Sequence, residues 1–313
     1  MPLVSVVIPT RNRPGIVTGA VRSVLAQTLT DLELVVVVDG PDPATEAALR
    51  AVADPRLRVV VGAAPIGASA ARNRGADLAA GTWLAFLDDD DEWLPERLER
   101  MLRDADPAAR VLLTCLCRVE TPSGTYIWPT ELPDPASTID GYLFERRSWF
   151  LGAAFLQTSS WMLPRAFFQE VRFRPEGDPH DDWDFVIRLV NRHGGRVVTV
   201  PEPLVVFRYE QPRPSLGRDT QWAASLAWIE RLGDLVRPSA HASFCLAVAG
   251  SAAAASGAWS AIPVVLRHAF RRGRPTGRQL ALFASYWLVP SALRRRLRAA
   301  LTGSDGATAS AAS

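Results

Sequence analysis

The chain has 313 residues, 48% of them hydrophobic, and a formal net charge of +2. That is enough for one large domain, or a domain with an appendage, around a substantial core, and so small a charge excess makes no case for a nucleic-acid partner. All 35 basic residues are Arg, which a GC-rich coding bias explains, and three cysteines make no disulfide framework for a secreted protein.

The opening "MPLVSVVIPT" lacks the charged start and long apolar stretch of a signal peptide, so a cytosolic protein is expected. Apolar runs at 4–8, 32–38, 56–61, 82–87 and 110–116 read as strands, and helical patterns separate the earlier ones. Between the first two, Ile16, Val17, Ala20, Val21, Val24 and Leu25 mark one buried helix face, and "GASAARNRGADLAAG" (67–81) reads as a Gly-bounded helix. This alternation predicts an α/β fold, a mostly parallel sheet flanked by crossover helices. Cys115 and Cys117 alternate along the fifth strand and read as buried small hydrophobes.

From 121 to 150 the pattern weakens into "TPSGTYIWPTELPDPAST", read as a surface loop. Order returns at 156–173. Residues 181–195 read as a helix that Asp181 or Asp182 caps and Gly194 closes. "RVVTVPEPLVVFRY" (196–209) reads as a strand broken by two prolines, better placed at an edge. Beyond about 215 only Ala-rich helical patterns remain. The uncharged run Ala242–Leu266 is long enough to cross a bilayer, yet it is mostly Ala, Gly and Ser and contains Pro263, which favours a soluble helical hairpin. The expected organisation is a catalytic-type domain over 1–210, a helical region over 211–303 and a disordered tail over 304–313.

The stretch "AFLDDDDEWLP" carries the chemistry. "GTWLAFL" is the strand before it, and "EWLPERLERML" reads as a helix with Pro95 in its first turn. Asp88, Asp89, Asp90 and Asp91 thus sit at the carboxyl end of a strand, where open α/β sheets place ligands. Two carboxylates about 6 Å apart repel by about 3 kcal/mol at an effective dielectric of about 20, so four together call for water or a cation. In an extended loop Asp88 and Asp90 share one side, a pair of hard oxygens suited to Mg²⁺ or Mn²⁺ shared with a phosphate. The bland alternative is a solvated acidic turn that caps a helix.

"VSVVIPTRNRP", "VVVVDGPDPAT", the 67–95 segment and "DDWDFVIRL", in this order, resemble the family 2 glycosyltransferases of bacterial type over residues 3 to 208. The resemblance implies a GT-A fold with a C-terminal helical appendage. It further implies transfer of a sugar from a nucleotide-diphosphate donor to a hydroxyl acceptor, with inversion and a divalent cation, Mg²⁺ or Mn²⁺. On the family pattern Asp88-Asp89-Asp90 is the DxD motif, with Asp90 and Asp88 toward the metal and Asp89 or Asp88 toward ribose and sugar. Asp39 matches the acid that meets the donor's base, although Val38 stands where members commonly carry a second acid. Pro9 and Thr10 end the strand that meets the nucleotide, and Arg72 lies where the family places a cation against the diphosphate. Asp182, supported by Asp181, matches the segment that supplies the base, with Trp183 a candidate acceptor wall and His180 a candidate for reaching metal or diphosphate.

Other readings compete. No G-x-G-x-x-G follows the first strand, which disfavours a dinucleotide dehydrogenase. A metal-dependent sugar nucleotidyltransferase and a catalytically silent nucleotide- or glycan-binding module keep the same strand-end acids. Near the C-terminus Arg267, Arg271, Arg272, Arg274, Arg278, Arg294, Arg295, Arg296 and Arg298 lie beside apolar stretches, a composition that fits peripheral contact with the inner face of an anionic membrane or a plain solvated face.

Overall fold

The Val-rich opening run forms β1 (Val4–Thr10), buried along its whole length. β2 (Leu32–Val38), β3 (Leu57–Val61) and β4 (Trp83–Phe86) join it as a parallel array in the order β3-β2-β1-β4 in the computed structural model. Residues 1–122, 124–134, 137–145, 154–175, 179–208 and 221–289 are described. Crossovers are made by α1 (Pro14–Leu25), α2 (Pro43–Arg50) and α3 (Ala68–Leu78). In α1 the predicted face holds, since Val17, Ala20, Val21 and Val24 are buried, whereas Ile16 is exposed. Helix α3 lies hard against β1: a Cβ on Gly75 would come within 2.3 Å of Val7 Cγ1, so only glycine permits this approach. Because the four strands are parallel, Thr10, Asp39 and Asp88 all emerge at one end of the sheet.

The sheet continues through β5 (Asp91–Trp93), β6 (Val111–Thr121), β7 (Gly124–Trp128), β8 (Met162–Pro164) and β9 (Arg196–Arg208), in the order β4-β8-β6-β9-β5 with β7 on β6. This half is mixed. β4 with β8, β6 with β8, β6 with β7 and β5 with β9 are antiparallel, and β6 with β9 is parallel.

Three expectations need correction. The stretch read as a surface loop contains β7, whose Thr125-Tyr126-Ile127-Trp128 run is strand-forming and is turned back onto β6 at Gly124, φ 139°. It also contains α5 (Ile139–Phe144). The helix after the acidic loop starts later than Pro95 suggested: Asp91–Trp93 pair with β9 as β5, and α4 (Arg97–Leu102) follows. Ladder bonds to Val205–Phe207 and a bond from the Trp93 indole to the Ser159 carbonyl (2.9 Å) hold these residues extended. Finally, β9 is one strand despite its prolines. The register shifts where Cys115 pairs Val200 and Leu116 pairs Pro203, so Pro201 and Glu202 bulge, and β5 covers only Val205–Phe207 beyond them.

The rest of this half is α6 (Arg165–Val171) and α7 (Asp181–Asn191), packed through Trp161, Phe168, Phe173 and Phe185, whose ring centroids lie 4.7–6.1 Å apart where they meet. Cys115 and Cys117 are buried and form no disulfide.

By packing, the chain divides into two units, Met1–Ile139 with Ala153–Arg213, and Asp140–Gly152 with Pro214–Ser313. In the second are α8 (Gln221–Leu232), α9 (Pro238–Ser243), a π-helical turn over Phe244–Ala249, α10 (Gly250–Ala255), α11 (Ala261–Arg272) and α12 (Gly277–Leu288). Phe144, Trp228 and Phe244 form its aromatic centre, at 5.0–6.2 Å between centroids. The uncharged run is interrupted between α10 and α11, where Gly257 takes φ 68°. Among the described residues no helix is long and apolar enough to cross a membrane. Residues 211–220, Arg294, Arg295, Arg296, Arg298 and the tail over 304–313 lie outside the described residues.

Candidate active site

Strand β4 delivers the acidic loop, and two arginines and a set of hydroxyls divide it. Asp88 accepts from Arg72 Nη2 at 2.7 Å. Asp89 accepts from Thr10 Oγ1 at 2.7 Å and Arg13 Nη1 at 2.8 Å, and Asp90 shares that Nη1 at 3.1 Å. Asp91, 1% exposed, accepts from Gln157 Nε2 (2.5 Å) and Ser159 Oγ (2.6 Å). The loop is not extended: Asp91 N–H donates to the Asp88 carbonyl at 3.2 Å, a turn that breaks the expected two-by-two alternation. Asp89 and Asp90 therefore face one cation while Asp88 faces another.

Arg72, on α3, is the hinge of the site. It is buried, its Nη1 lies 3.3 Å from Asp181 Oδ2, and its guanidinium carbon stands 5.3 Å from the centre of the Phe173 ring. Burial alone would depress this guanidinium, but Asp88, Asp181 and Asp182 outweigh it and hold it firmly charged. Ser69, one turn earlier on α3, donates to the same Asp181 oxygen at 2.5 Å. One helix thus ties the acidic loop to the acid pair that opens α7.

The predicted cap is not what those acids do. His180 occupies the N-cap position of α7 and its side chain does not cap the helix, and Asp181 and Asp182 lie in the first turn. The Asp182 carboxylate accepts from Thr158 Oγ1, and the Asp182 N–H donates to Asp181 Oδ1 at 3.0 Å. Burial first, then the neighbouring charges of Asp181 and Asp88, push the Asp182 carboxyl up to about 7, against the pull of Arg72. Burial likewise raises Asp89, against Thr10 and Arg13. Asp184, the third acid of "DDWD", is structural: it is buried and bonds Arg188 at 2.6 Å and Arg174 at 3.1 Å. His180 stacks on Trp183 with centroids 4.8 Å apart.

Asp39 lies apart from this network. Its carboxylate accepts from the backbone N–H groups of Ile66 (2.7 Å) and Gly67 (3.0 Å), at the entry to α3, while its own N–H donates to the Thr10 carbonyl at 2.9 Å. The next acid along the chain, Asp42, caps α2 through Thr45 N–H and also accepts from Asn12 N–H. Pro9 pairs with Val37 inside the sheet, so only its end of the strand approaches the site. Sequence reasoning passed over Arg13 and the run Gln157-Thr158-Ser159-Ser160. Four consecutive polar residues between apolar elements were the available signal, because such groups are buried only when bonded.

A family model described as glycosyl transferase family 2 matches residues 5–172. A putative colanic acid biosynthesis glycosyl transferase, WcaA of Escherichia coli K12, is 30% identical over 62% of this chain and 68% of its own length. The chain belongs to glycosyl transferase family 2. Among its relatives in that family, the succinoglycan biosynthesis protein ExoO of Rhizobium meliloti is 40% identical over 34% of this chain and 31% of its own length. An E. coli relative, WfgD, is named as a UDP-Glc:α-D-GlcNAc-diphosphoundecaprenol β-1,3-glucosyltransferase and is 33% identical over 32% of this chain and 40% of its own length.

This glycosyltransferase has the GT-A fold. S. aureus TarS, solved with UDP-GlcNAc, superposes with a TM-score of 0.58 at 14% identity, covering 92% of this chain and 89% of that one. The mannosyltransferase PcManGT of Pyrobaculum calidifontis, solved with GDP-Man and Mn²⁺, gives 0.57 at 18% identity over 92% and 85%.

Proposed function

We propose that this glycosyltransferase moves a sugar from a nucleotide-diphosphate donor to an acceptor hydroxyl with inversion, and that Asp182 is the base. The supporting observation is the single network in which Arg72 joins Asp88 of the acidic loop to Asp181, the neighbour of Asp182. A carboxylate with a pKa of about 7 is matched to proton abstraction near neutral pH. Asp182 takes the acceptor's hydroxyl proton, the acceptor oxygen bonds to the anomeric carbon from the opposite face, and the nucleoside diphosphate leaves with the bonding pair. Thr158 and Asp181 fix the orientation of the base. Arg72 balances the surrounding carboxylates and offers positive charge near the leaving group.

The donor set fits a divalent cation. Among the described residues no group of three or more His, Cys, Asp or Glu is placed to hold a metal by itself. Asp88 and Asp90, with side chains 29% and 20% exposed, carry the hard oxygens that suit Mg²⁺ or Mn²⁺ sharing its shell with a diphosphate, and to meet one ion they would have to turn from Arg72 and Arg13. When bound, such a cation supplies charge against the departing diphosphate. In this reading Asp89 and Thr10, bonded to each other, would meet the nucleotide. Asp39 would have to exchange its backbone partners, or bond the base through its remaining lone pairs.

The acceptor class in this reading is a glycan, a lipid-linked sugar or a small molecule, in cell-wall or polysaccharide synthesis. The lipid-linked option is favoured by the diphosphoundecaprenol named for WfgD, and it carries peripheral residence at the cytoplasmic membrane with it. Thermal shift with UDP-, dTDP- and GDP-sugars, with and without Mn²⁺, should show one donor stabilising the protein only with metal. Asp90→Ala should abolish that response while leaving a folded protein. Chromatography of the products should show a nucleoside diphosphate. Pyrophosphate would instead indicate a nucleotidyltransferase, and a normal response of Asp90→Ala to donor with Mn²⁺ would remove the DxD assignment.

A further inference from the structure

Helix α11 presents two opposite faces. Ala261, Val265 and Ala269 are buried, while Pro263, Val264, Arg267, Phe270 and Arg271 are exposed. At 100° per residue those five lie within an arc of about 120° centred opposite the buried three. The exposed arc therefore carries two cationic side chains flanked by apolar ones, and Phe270 stands 58% in solvent. A shallow open depression runs along it, lined by Pro263, Val264, Arg267, His268 and Arg271. Just before the helix, Trp259 is 61% exposed.

Charge decides what such a face fits. The sequence holds no Asp or Glu from Leu235 through Ser304. The nearest acids of this unit are already engaged: Asp140 and Glu145 by Arg237, Glu230 by His268 at 2.8 Å, and Asp234 by Arg272 at 3.0 Å. Arg271 acts on Glu230 only through space, and Arg267 and Arg274 make no ion pair among the described residues. A protein partner with an apolar surface alone would leave this charge uncompensated. A bilayer with anionic lipids supplies both an interfacial apolar layer and a phosphate surface.

We propose that the exposed face of α11 is a membrane-contact surface, with Phe270, Val264 and Pro263 entering the headgroup boundary and Arg267 and Arg271 pairing with lipid phosphates. This deepens the glycosyl-transfer reading by naming the surface at which a lipid-linked acceptor would be met. The surface itself stands on this unit alone.

The test is sedimentation of the full-length protein with phosphatidylcholine vesicles, with and without phosphatidylglycerol, at low and high salt. Sedimentation with the anionic vesicles, lost at high salt, is expected. Reversing both charges in Arg267→Glu/Arg271→Glu should weaken binding at least about tenfold. Phe270→Ser should weaken it at low salt, where the wild type binds. Melting curves like the wild type's would show that the variants are folded. A wild type that stays in the supernatant throughout, equal binding by the charge-reversal variant, or equal binding to neutral vesicles would each overturn the proposal. So would retention on a soluble polyanion without vesicle binding. Nucleoside diphosphate release from the donor, measured without vesicles, keeps this result separate from the glycosyl-transfer reading: intact release with no vesicle binding removes only the membrane face.

Discussion

Asp182 concentrates the electrostatic tension of the site. Three carboxylates, those of Asp88, Asp181 and Asp182, surround one guanidinium, and the burial that Arg72 only partly offsets falls on Asp182. A carboxyl raised from its ordinary 3.8 to about 7 contributes stability that is full below about 4 and is lost as pH rises through about 7. Asp182→Asn keeps the acceptor for Thr158 but carries no charge, so it should melt higher than the wild type at pH 8 and alike at pH 4. The same substitution should lower transfer by about 10² or more while donor affinity is kept, since general base catalysis is worth that much. In the wild type, kcat/KM should rise with pH through about 7. Near-normal turnover by Asp182→Asn would move the base to Asp181 or elsewhere.

At the scale of elements, α3 matters most, because it carries both Ser69 and Arg72 and is set by Gly75 against β1. Gly75→Ala brings helix propensity of up to about 1 kcal/mol. Against this stands a methyl group 2.3 Å from Val7, and overpacking of a closed interface costs about 1–3 kcal/mol. The variant should therefore melt lower than the wild type, and transfer should fall because Arg72 moves with its helix. A melting temperature at or above the wild type's would show that β1 yields instead. The sequence displayed α3 plainly, as it did the parallel half of the sheet, since continuous Val runs and a Gly-bounded helix are local signals. What it concealed was set by tertiary partners. Glu92 and Trp93 read as helix until β9 pairs with them, "GTYIW" read as loop until β6 does, and the prolines of β9 are accommodated by a bulge that only its neighbour defines. In the site, the motif acids were legible because charge repulsion makes them conspicuous. Arg13 and Thr158 were not, because an arginine before a proline and a threonine in a polar run acquire meaning only from Asp89, Asp90 and Asp182, distant in the chain.

On the whole molecule, the boundary between units does not fall at a single point in the chain. Residues 140–145 belong with the C-terminal helices: Asp140, 1% exposed, bonds the Arg237 backbone at 2.9 Å and its guanidinium at 3.2 Å. Ser243 Oγ donates to the Phe144 carbonyl at 2.6 Å, and Ser239 Oγ donates to Glu145 at 2.5 Å. Phe144 itself is held edge-on between Trp228 and Phe244. A chain ended after residue 213 keeps this segment and loses every one of those partners, leaving Phe144 uncovered and Asp140 without its cation. It should bind a hydrophobic dye and aggregate. The same shortened chain with 140–152 replaced by a Gly-Ser linker should remain monomeric, because the first unit keeps its own sheet and its own crossover helices. The linker form should also retain the metal-dependent thermal shift with donor, since every side chain of the acidic-loop network lies within Met1–Ile139 or Ala153–Arg213. If both shortened chains behave alike in gel filtration and dye binding, 140–145 does not depend on the C-terminal helices, and the division of the chain runs through position 213 alone.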